Sequence, residues 1–165
     1  MPTANQILVH SLIVAKGMLA RFTADLMPAE YLHRSCDGAN CTAWIIGHLI
    51  LSERGALKRL GFTPEQMPAL PEGFETRYAR DETAPKSASY GDVSGLMELF
   101  NAHRDLFISA VRALPPEKLD GTLEKPHPMF ATIWEYITFM GAIHLTMHAG
   151  QITMIRRSMG KPPIV

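Results

Sequence analysis

Two histidines near the C-terminus, His144 and His148, have the spacing in this chain that most directly suggests chemistry. They lie in a segment whose small and apolar residues recur every three or four positions, which is typical of a helix packed on one face. Side chains four residues apart stand above one another on that face, with Cβ atoms roughly 6 Å apart. Both imidazoles could therefore bind one metal ion, or they could be two core or interface histidines. The helical zinc-protease motif is excluded, because it requires a glutamate where this chain has Leu145.

The five other histidines are separated by their phase on the predicted helices. His48 and His103 fall on stripes that face the core, whereas His10 falls off its stripe and is expected at the surface. His33 and His127 lie in connections, where an exposed or turn-stabilising role is expected. A buried neutral imidazole needs partners for both ring nitrogens, and a shared metal ion supplies one for several residues together.

A three-histidine metal site follows from combining two of these segments. His48 on the second predicted helix, with His144 and His148 on the last, would supply three nitrogen ligands. Helical bundles commonly build such sites from side chains on facing helices. Three protein ligands leave further coordination positions for water or substrate, which is typical of a catalytic rather than a closed structural zinc site.

Two other polar residues each allow two interpretations. His103 is a candidate general base, fourth ligand or supporting donor near the metal, or else a core histidine hydrogen-bonded to a neighbour. We take the general base as its catalytic interpretation. Gln151, almost one turn beyond His148, either orients a ligand or satisfies a helix-packing contact.

Four amphipathic helices are predicted to position these residues. Their apolar stripes alternate steps of three and four residues, and capping residues, glycines or prolines mark their ends. The helices are expected over about residues 4–26, 40/42–61, 92/94–114 and 131/132–160. No alternating pattern of a length useful for a strand is visible, so the fold class is all-α, a four-helix bundle.

The long connection over residues 61–92 carries information about topology. Antiparallel neighbours in a bundle need only a short turn, whereas parallel neighbours need a crossover as long as the bundle. We therefore expect the second and third helices to run parallel. Aromatic residues along the crossover could cover the mouth of the metal site and help form a substrate pocket; they are Phe62, Phe74, Tyr78 and Tyr90.

Composition bounds the class of protein. The 165 residues fit a single domain over residues 1–165, long enough to bury a core without disulfides. Sixteen basic and sixteen acidic residues balance, so no electrostatic footprint for nucleic acid is present. The two cysteines do not suggest a disulfide framework. With neither a signal-peptide pattern nor a membrane span evident, the expected location is the cytoplasm.

Two histidine segments carry a resemblance to a known family. The first is Trp44-Ile-Ile-Gly-His48-Leu, followed on the same helix by Glu53, and the second is His144-x-x-x-His148-Ala-Gly-Gln-Ile-x-x-Ile-Arg-Arg. Together with the long crossover between them, these segments resemble the DinB/YfiT-like superfamily over nearly the whole chain. Only the two histidine segments are specific.

The resemblance implies both a fold and a metal site. It implies a four-helix bundle in an up-down-down-up arrangement, in agreement with the parallel helices inferred above. It also implies a divalent metal ion held by His48, His144 and His148. Members of the superfamily often form homodimers, and those with known activity include transferases and isomerases that use a low-molecular-weight thiol.

Three functions remain open from the sequence. The first is a metal-dependent enzyme of the thiol S-transferase or isomerase type, acting on a small-molecule substrate. The second is a metal-dependent hydrolase with water as the nucleophile, and the third is a non-catalytic metal-binding protein of a stress response. Imidazole ligands suit zinc and nickel, which we favour, and also iron and copper.

A di-iron carboxylate centre is disfavoured. Such centres require several glutamates facing the core, including Glu-x-x-His pairs on helices. In this chain that spacing occurs at Glu30/His33 and Glu124/His127, both in connections.

Overall fold

A computed structural model of the chain describes residues 1–80 and 90–164 and is predominantly helical. No helix within those two ranges is both long and apolar enough to cross a membrane. Short 3₁₀ turns cover Pro28–Leu32 and Pro64–Gln66. The remaining elements, in chain order, are α1 Ala4–Thr23, α2 Thr42–Arg59, α3 Phe74–Tyr78, α4 Leu96–Ala113, α5 Pro116–Leu119, β1 Thr122–His127, β2 Phe130–Thr132, α6 Ile133–Thr138 and α7 His144–Ser158.

The direction of α1 relative to α4 and α7 follows from contacts at the helix ends. The Asn5 side chain at the start of α1 donates to the carbonyls of Val111 and Leu114 at the end of α4. At the other end of α1, the guanidinium of Arg156, near the end of α7, donates to the Phe22 carbonyl and the Asp25 carboxylate. Therefore α1 runs antiparallel to α4 and parallel to α7.

The direction of α2 follows from aromatic contacts with α7. The His48 ring contacts the His144 ring, and Trp44, one turn earlier on α2, contacts His148, one turn later on α7. Since α2 is thus antiparallel to α7, it is parallel to α4. The arrangement is up-down-down-up, so the predicted all-α four-helix bundle is confirmed.

The buried face of α2 differs from the predicted stripe. The sequence pattern placed Trp44/Ile45, His48, Leu51/Ser52 and Gly55 inward; Ile45 is buried, but the other five are only half-buried. The true stripe is broader and its centre is rotated by about one residue, since the buried positions are Thr42, Ala43, Ile45, Ile46, Gly47, Leu49, Ile50, Glu53, Arg54, Ala56 and Leu57. His48 consequently lies at the edge of the core, where it borders both α7 and solvent.

The crossover between α2 and α4 is packed against the bundle where it is described. Phe74 and Tyr78 of the short helix α3, with Tyr90, are buried in the core. The Tyr78 ring lies against Gly47, where an added Cβ would be 2.1 Å from the ring. Part of the crossover, residues 81–89, lies outside the described residues.

The connection between α4 and α6 forms a small antiparallel hairpin, which the sequence pattern did not predict. Its strands β1 and β2 pair Thr122 with Thr132 and His127 with Phe130, with an irregularity in register between the two pairs. The hairpin leads into α6 through a capping box, in which Thr132 and Glu135 satisfy each other's backbone N–H groups. The strands are too short and irregular to show an alternating pattern.

A π-helical turn, Phe139–Ile143, joins α6 to α7. The backbone N–H of His144 donates to the Phe139 carbonyl five residues earlier, so the turn ends at a candidate metal ligand. Gly141 within the turn is pressed against α1, and a Cβ there would be 2.0 Å from Leu12. Isolated π turns in helices often occur at functional sites.

Candidate metal centre

Three imidazoles converge between α2 and α7. The Nε2 atom of His144 lies 3.3 Å from Nε2 of His48 and 3.1 Å from Nε2 of His148. Their candidate ligand atoms all fall within 4.8 Å of one another. Two nitrogens bound to one ion at about 2.1 Å, with bond angles of about 90° to 110°, lie about 3.0 to 3.4 Å apart. The spacing therefore fits a single ion shared by the three rings.

Neighbouring side chains hold two of these rings in orientation. The His48 ring stacks on Trp44, with centroids 4.9 Å apart and planes within 2°. The Nδ1 atom of His148 lies 2.8 Å from the amide oxygen Oε1 of Gln151. When the Nδ1–H group donates to that oxygen, the lone pair of Nε2 is free to bind an ion.

The environment favours neutral rings, the form that binds metal. Burial, followed by the charges of the neighbouring histidines and Arg80, lowers the pKa of His48 to about 4. Burial, followed by the charges of His148, Arg80 and Arg104, lowers the pKa of His144 to about 4. Burial also lowers the pKa of His148, although the hydrogen bond to Gln151 opposes this shift.

The donor set fits a divalent transition-metal ion. All three ligands are imidazoles, and the group found within the described residues contains no carboxylate or thiol. Imidazole nitrogens suit zinc, nickel, iron and copper, whereas magnesium and calcium prefer oxygen. The three side chains are half-buried rather than enclosed, so each keeps part of its surface in contact with solvent.

His103 lies outside this group. Its side chain is fully buried, its Nδ1–H donates to the Leu99 carbonyl at 2.9 Å, and its Nε2 accepts from Arg54 at 3.1 Å. Burial lowers the pKa of His103. With both ring nitrogens engaged, the geometry favours the second of its two interpretations, a core histidine bonded to its neighbours.

The remaining histidines lie where the sequence placed them. His10 is exposed on α1, and His33 contacts the Ser158 hydroxyl at 2.9 Å. His127 lies in the hairpin, stacked on Phe130. The two Glu-x-x-His pairs thus belong to a 3₁₀ turn with the residue after it and to β1. Neither pair lies on a bundle helix, which supports the argument against a di-iron centre.

Sequence reasoning missed a buried ion pair. Glu53 of α2 and Arg104 of α4 lie 2.9 Å apart in the core, and both are almost fully buried. The signal for Arg104 was its place directly after His103 on an inward stripe. Glu53 was missed because the predicted buried stripe of α2 included Ser52 instead of Glu53, the next residue.

A groove in the described part of the chain lies away from the three histidines. It measures about 840 Å³ and is formed by α3, the crossover and the start of α4, with Phe74, Arg77, Tyr78 and Tyr90 among its lining residues. Within the described residues, His48, His144 and His148 do not line it. Three of the four crossover aromatics, Phe74, Tyr78 and Tyr90, therefore line this groove rather than a pocket that includes the three histidines.

Comparisons with known proteins identify one similarity. A family model described as the DinB superfamily matches residues 12–152, which include all three histidines. No curated protein and no solved structure matched the chain.

Proposed function

The chain belongs to the DinB superfamily, and we propose that it is a metal-dependent enzyme of the thiol S-transferase or isomerase type. The cosubstrate would be a low-molecular-weight thiol, and the substrate a small electrophilic molecule. The observation that carries this proposal is the convergence of three half-buried imidazoles through their Nε2 atoms.

His48, His144 and His148 would hold the ion, which we propose to be zinc or nickel, with iron as a further option. When bound, a divalent ion stabilises a thiolate at neutral pH and polarises an electrophile beside it. Trp44 fixes the His48 ring by stacking, and Gln151 fixes the His148 ring by a hydrogen bond. These contacts leave the solvent-exposed part of the site for the two reactants.

A role for His103 as a general base stays a prediction. It would require Arg54 to release Nε2, because that nitrogen now accepts a hydrogen bond from the guanidinium. Proton transfer to a reacting group also requires the base to lie within hydrogen-bonding reach of it.

The first experiment measures metal content. Untagged protein, purified without a nickel column, is compared with His48→Ala and His144→Ala by elemental analysis. His10→Ala is the matched control, since His10 is an exposed histidine on α1. We expect near one divalent ion per wild-type chain and per control chain, and its loss from both cluster variants.

The second experiment separates the functions. Metal-loaded protein is screened with small electrophiles in the presence and absence of low-molecular-weight thiols. Turnover that depends on both thiol and metal would support the proposal, whereas turnover without thiol would indicate a hydrolase. A wild-type chain that contains no metal, and takes up neither zinc nor nickel on reconstitution, would refute the metal centre.

We also propose that the chain forms a homodimer through the outer face of α7. Four residues of small or apolar type recur on that face at steps of four, three and four: Ile143, Met147, Gly150 and Met154. All four are exposed, and no other side chain lies within 4 Å of a Cβ placed on Gly150. Exposed apolar stripes of this kind commonly mark protein–protein contacts.

A further inference from the structure

The buried pair of Glu53 and Arg104 supplies no ligand atom to the metal centre described above. Their side chains are 2 % and 0 % exposed, respectively, and the pair joins α2 to α4 in the middle of the bundle. A buried ion pair contributes little to stability beyond what apolar side chains of the same volume would provide, because both charges must lose their hydration. Simple stabilisation of the core is therefore a weak explanation for this pair.

Arg104 also reaches the helix that carries two of the candidate ligands. Its Nη1 atom donates to the carbonyl of Gly141 at 2.8 Å, inside the π turn. Gly141 lies three residues before His144, and the N–H of His144 itself makes the last hydrogen bond of that turn. Arg104 thus fixes the backbone from which the His144 side chain projects.

Four buried groups in this region lack a hydrogen-bond partner in the described part of the chain. They are Oε2 of Glu53, Nε of Arg104, Nδ1 of His144 and Nε of the neighbouring Arg54. Cores keep few such groups, because leaving one without a partner is costly. Because Arg54 carries such a group as well, the feature that distinguishes the ion pair is the contact of Arg104 with the Gly141 carbonyl.

We propose that the Glu53–Arg104 pair is a positioning device for His144. The pair holds the π turn in the geometry that brings Nε2 of His144 to within 3.1 to 3.3 Å of the other two Nε2 atoms. Glu53 orients the guanidinium, and the guanidinium fixes the Gly141 carbonyl. This inference rests on the proposed function, since the property it explains is the affinity for the ion.

A neighbouring pair provides a matched control. Arg54 and His103 are the next residue along α2 and the preceding residue along α4, and both are buried. They also join α2 to α4, but Arg54 reaches the Pro68 carbonyl of the crossover rather than the π turn. Removing the contacts of either pair would loosen the packing of α2 against α4. Only replacement of the Glu53–Arg104 pair would also release the π turn and the position of His144.

The test compares two variants. Glu53→Leu with Arg104→Met removes both charges together, which avoids leaving one buried and unpaired. The control is Arg54→Met, which removes the contacts of Arg54 with His103 and the Pro68 carbonyl but keeps His103 itself. Cobalt(II) affinity and the cobalt absorption spectrum are measured for each full-length protein, and hydrogen exchange of residues 139–144 is measured without metal.

We expect the first variant to bind cobalt about 10- to 100-fold more weakly than wild type, with an altered spectrum. Its residues 139–144 should also exchange faster, whereas the control should match wild type in all three measurements. Wild-type affinity and exchange in the first variant would overturn the inference, as would equal changes in both variants.

The experiment also covers two other results: a first variant that does not fold, and a wild-type protein that binds no cobalt. If the first double variant does not fold, Arg104→Lys replaces it, since lysine keeps the charge but cannot span the Glu53 carboxylate and the Gly141 carbonyl together. It should lower cobalt affinity in the same direction, and unchanged affinity would overturn the inference. Wild-type protein that binds no cobalt would refute the metal centre, and the exchange data would still decide whether the pair holds the π turn.

Discussion

At the scale of single residues, the Nδ1 atoms decide how firmly the imidazoles of the site are oriented. Nδ1 of His148 has the Gln151 oxygen as its partner, whereas Nδ1 of His144 has no partner in the described ranges. Groups that accept a hydrogen bond from a metal-bound imidazole fix its tautomer and raise its basicity. The two rings of α7 therefore have different supports: the Gln151 amide for His148, and for His144 the π turn, whose Phe139 ring also stacks on the imidazole.

Gln151 gives the first prediction at this scale. Gln151→Leu removes the acceptor for His148, so we expect metal affinity to fall about 10- to 100-fold, measured by competition with a coloured chelator. Gln151→Glu keeps an acceptor at the same position and should retain most of the affinity. Because Gln151 is exposed, thermal stability without metal should not change in either variant. Equal affinity in wild type and Gln151→Leu would contradict the role of this contact.

The sequence predicted the histidines of the site better than the residues that support them. His144 and His148 share a helix, and a spacing of four residues places them on one face in any α-helix. The partner of Glu53 lies 51 residues away on another helix, and no local pattern links the two. Likewise, the phase of a stripe indicated that His103 is buried, but not that Arg54 occupies its Nε2.

At the scale of elements, the contact of α3 with α2 supports the site from the crossover side. Gly47 precedes His48, and the Tyr78 ring occupies the space that a larger residue would need. The absence of a side chain at Gly47 thus lets the crossover pack beside a candidate ligand.

Replacing this glycine gives a second prediction. Gly47→Ala places a Cβ 2.1 Å from the Tyr78 ring, so we expect a loss of about 1–3 kcal/mol in the free energy of unfolding. Gly55→Ala, on the same helix but with nothing within 4 Å, should instead gain about 0.5–1 kcal/mol. Denaturant unfolding of both variants without metal measures the difference. A similar gain in both variants would show that Tyr78 does not pack tightly there.

The elements were predicted to different extents. The apolar stripes of α1 and α4 and the length of the crossover were sufficient to predict the helices and the parallel course of α2 and α4. The π turn was not predictable, because a step of four residues fits both an ordinary turn and a wider one. The hairpin was missed because β2 has only three residues, too few to show an alternation of apolar and polar side chains.

At the scale of the whole molecule, the exposed stripe on α7 bears on the oligomeric state. Met147 and Met154 are 60 % and 57 % exposed, respectively, on the face opposite the core. We expect wild-type protein to have twice the 18.3 kDa mass of the chain in light scattering coupled to size exclusion.

Met147→Glu should shift that equilibrium toward the monomer, because a carboxylate in an apolar interface loses its hydration without a partner. Met129→Glu is the control, since Met129 is 62 % exposed but lies in the turn of the hairpin. A monomeric wild type, or a dimer that persists in Met147→Glu, would exclude this face as the interface.

The π turn has a consequence for how this site could be gained or lost by mutation of the gene. An α-helix rotates by about 100° per residue, and a π turn accommodates one residue more than an α-helical turn. Deletion of a single codon within Phe139–Ile143 would therefore allow one continuous α-helix in which the His144–His148 pair keeps nearly the same direction relative to α6. Winding the same five residues as ordinary α-helix without a deletion would instead rotate the pair by roughly 100° relative to α6. The bundle would keep its four helices, and every ligand would still be encoded. A substitution that converts the π turn to α-helix, rather than the replacement of any histidine, is thus sufficient to separate the metal centre from the fold that carries it.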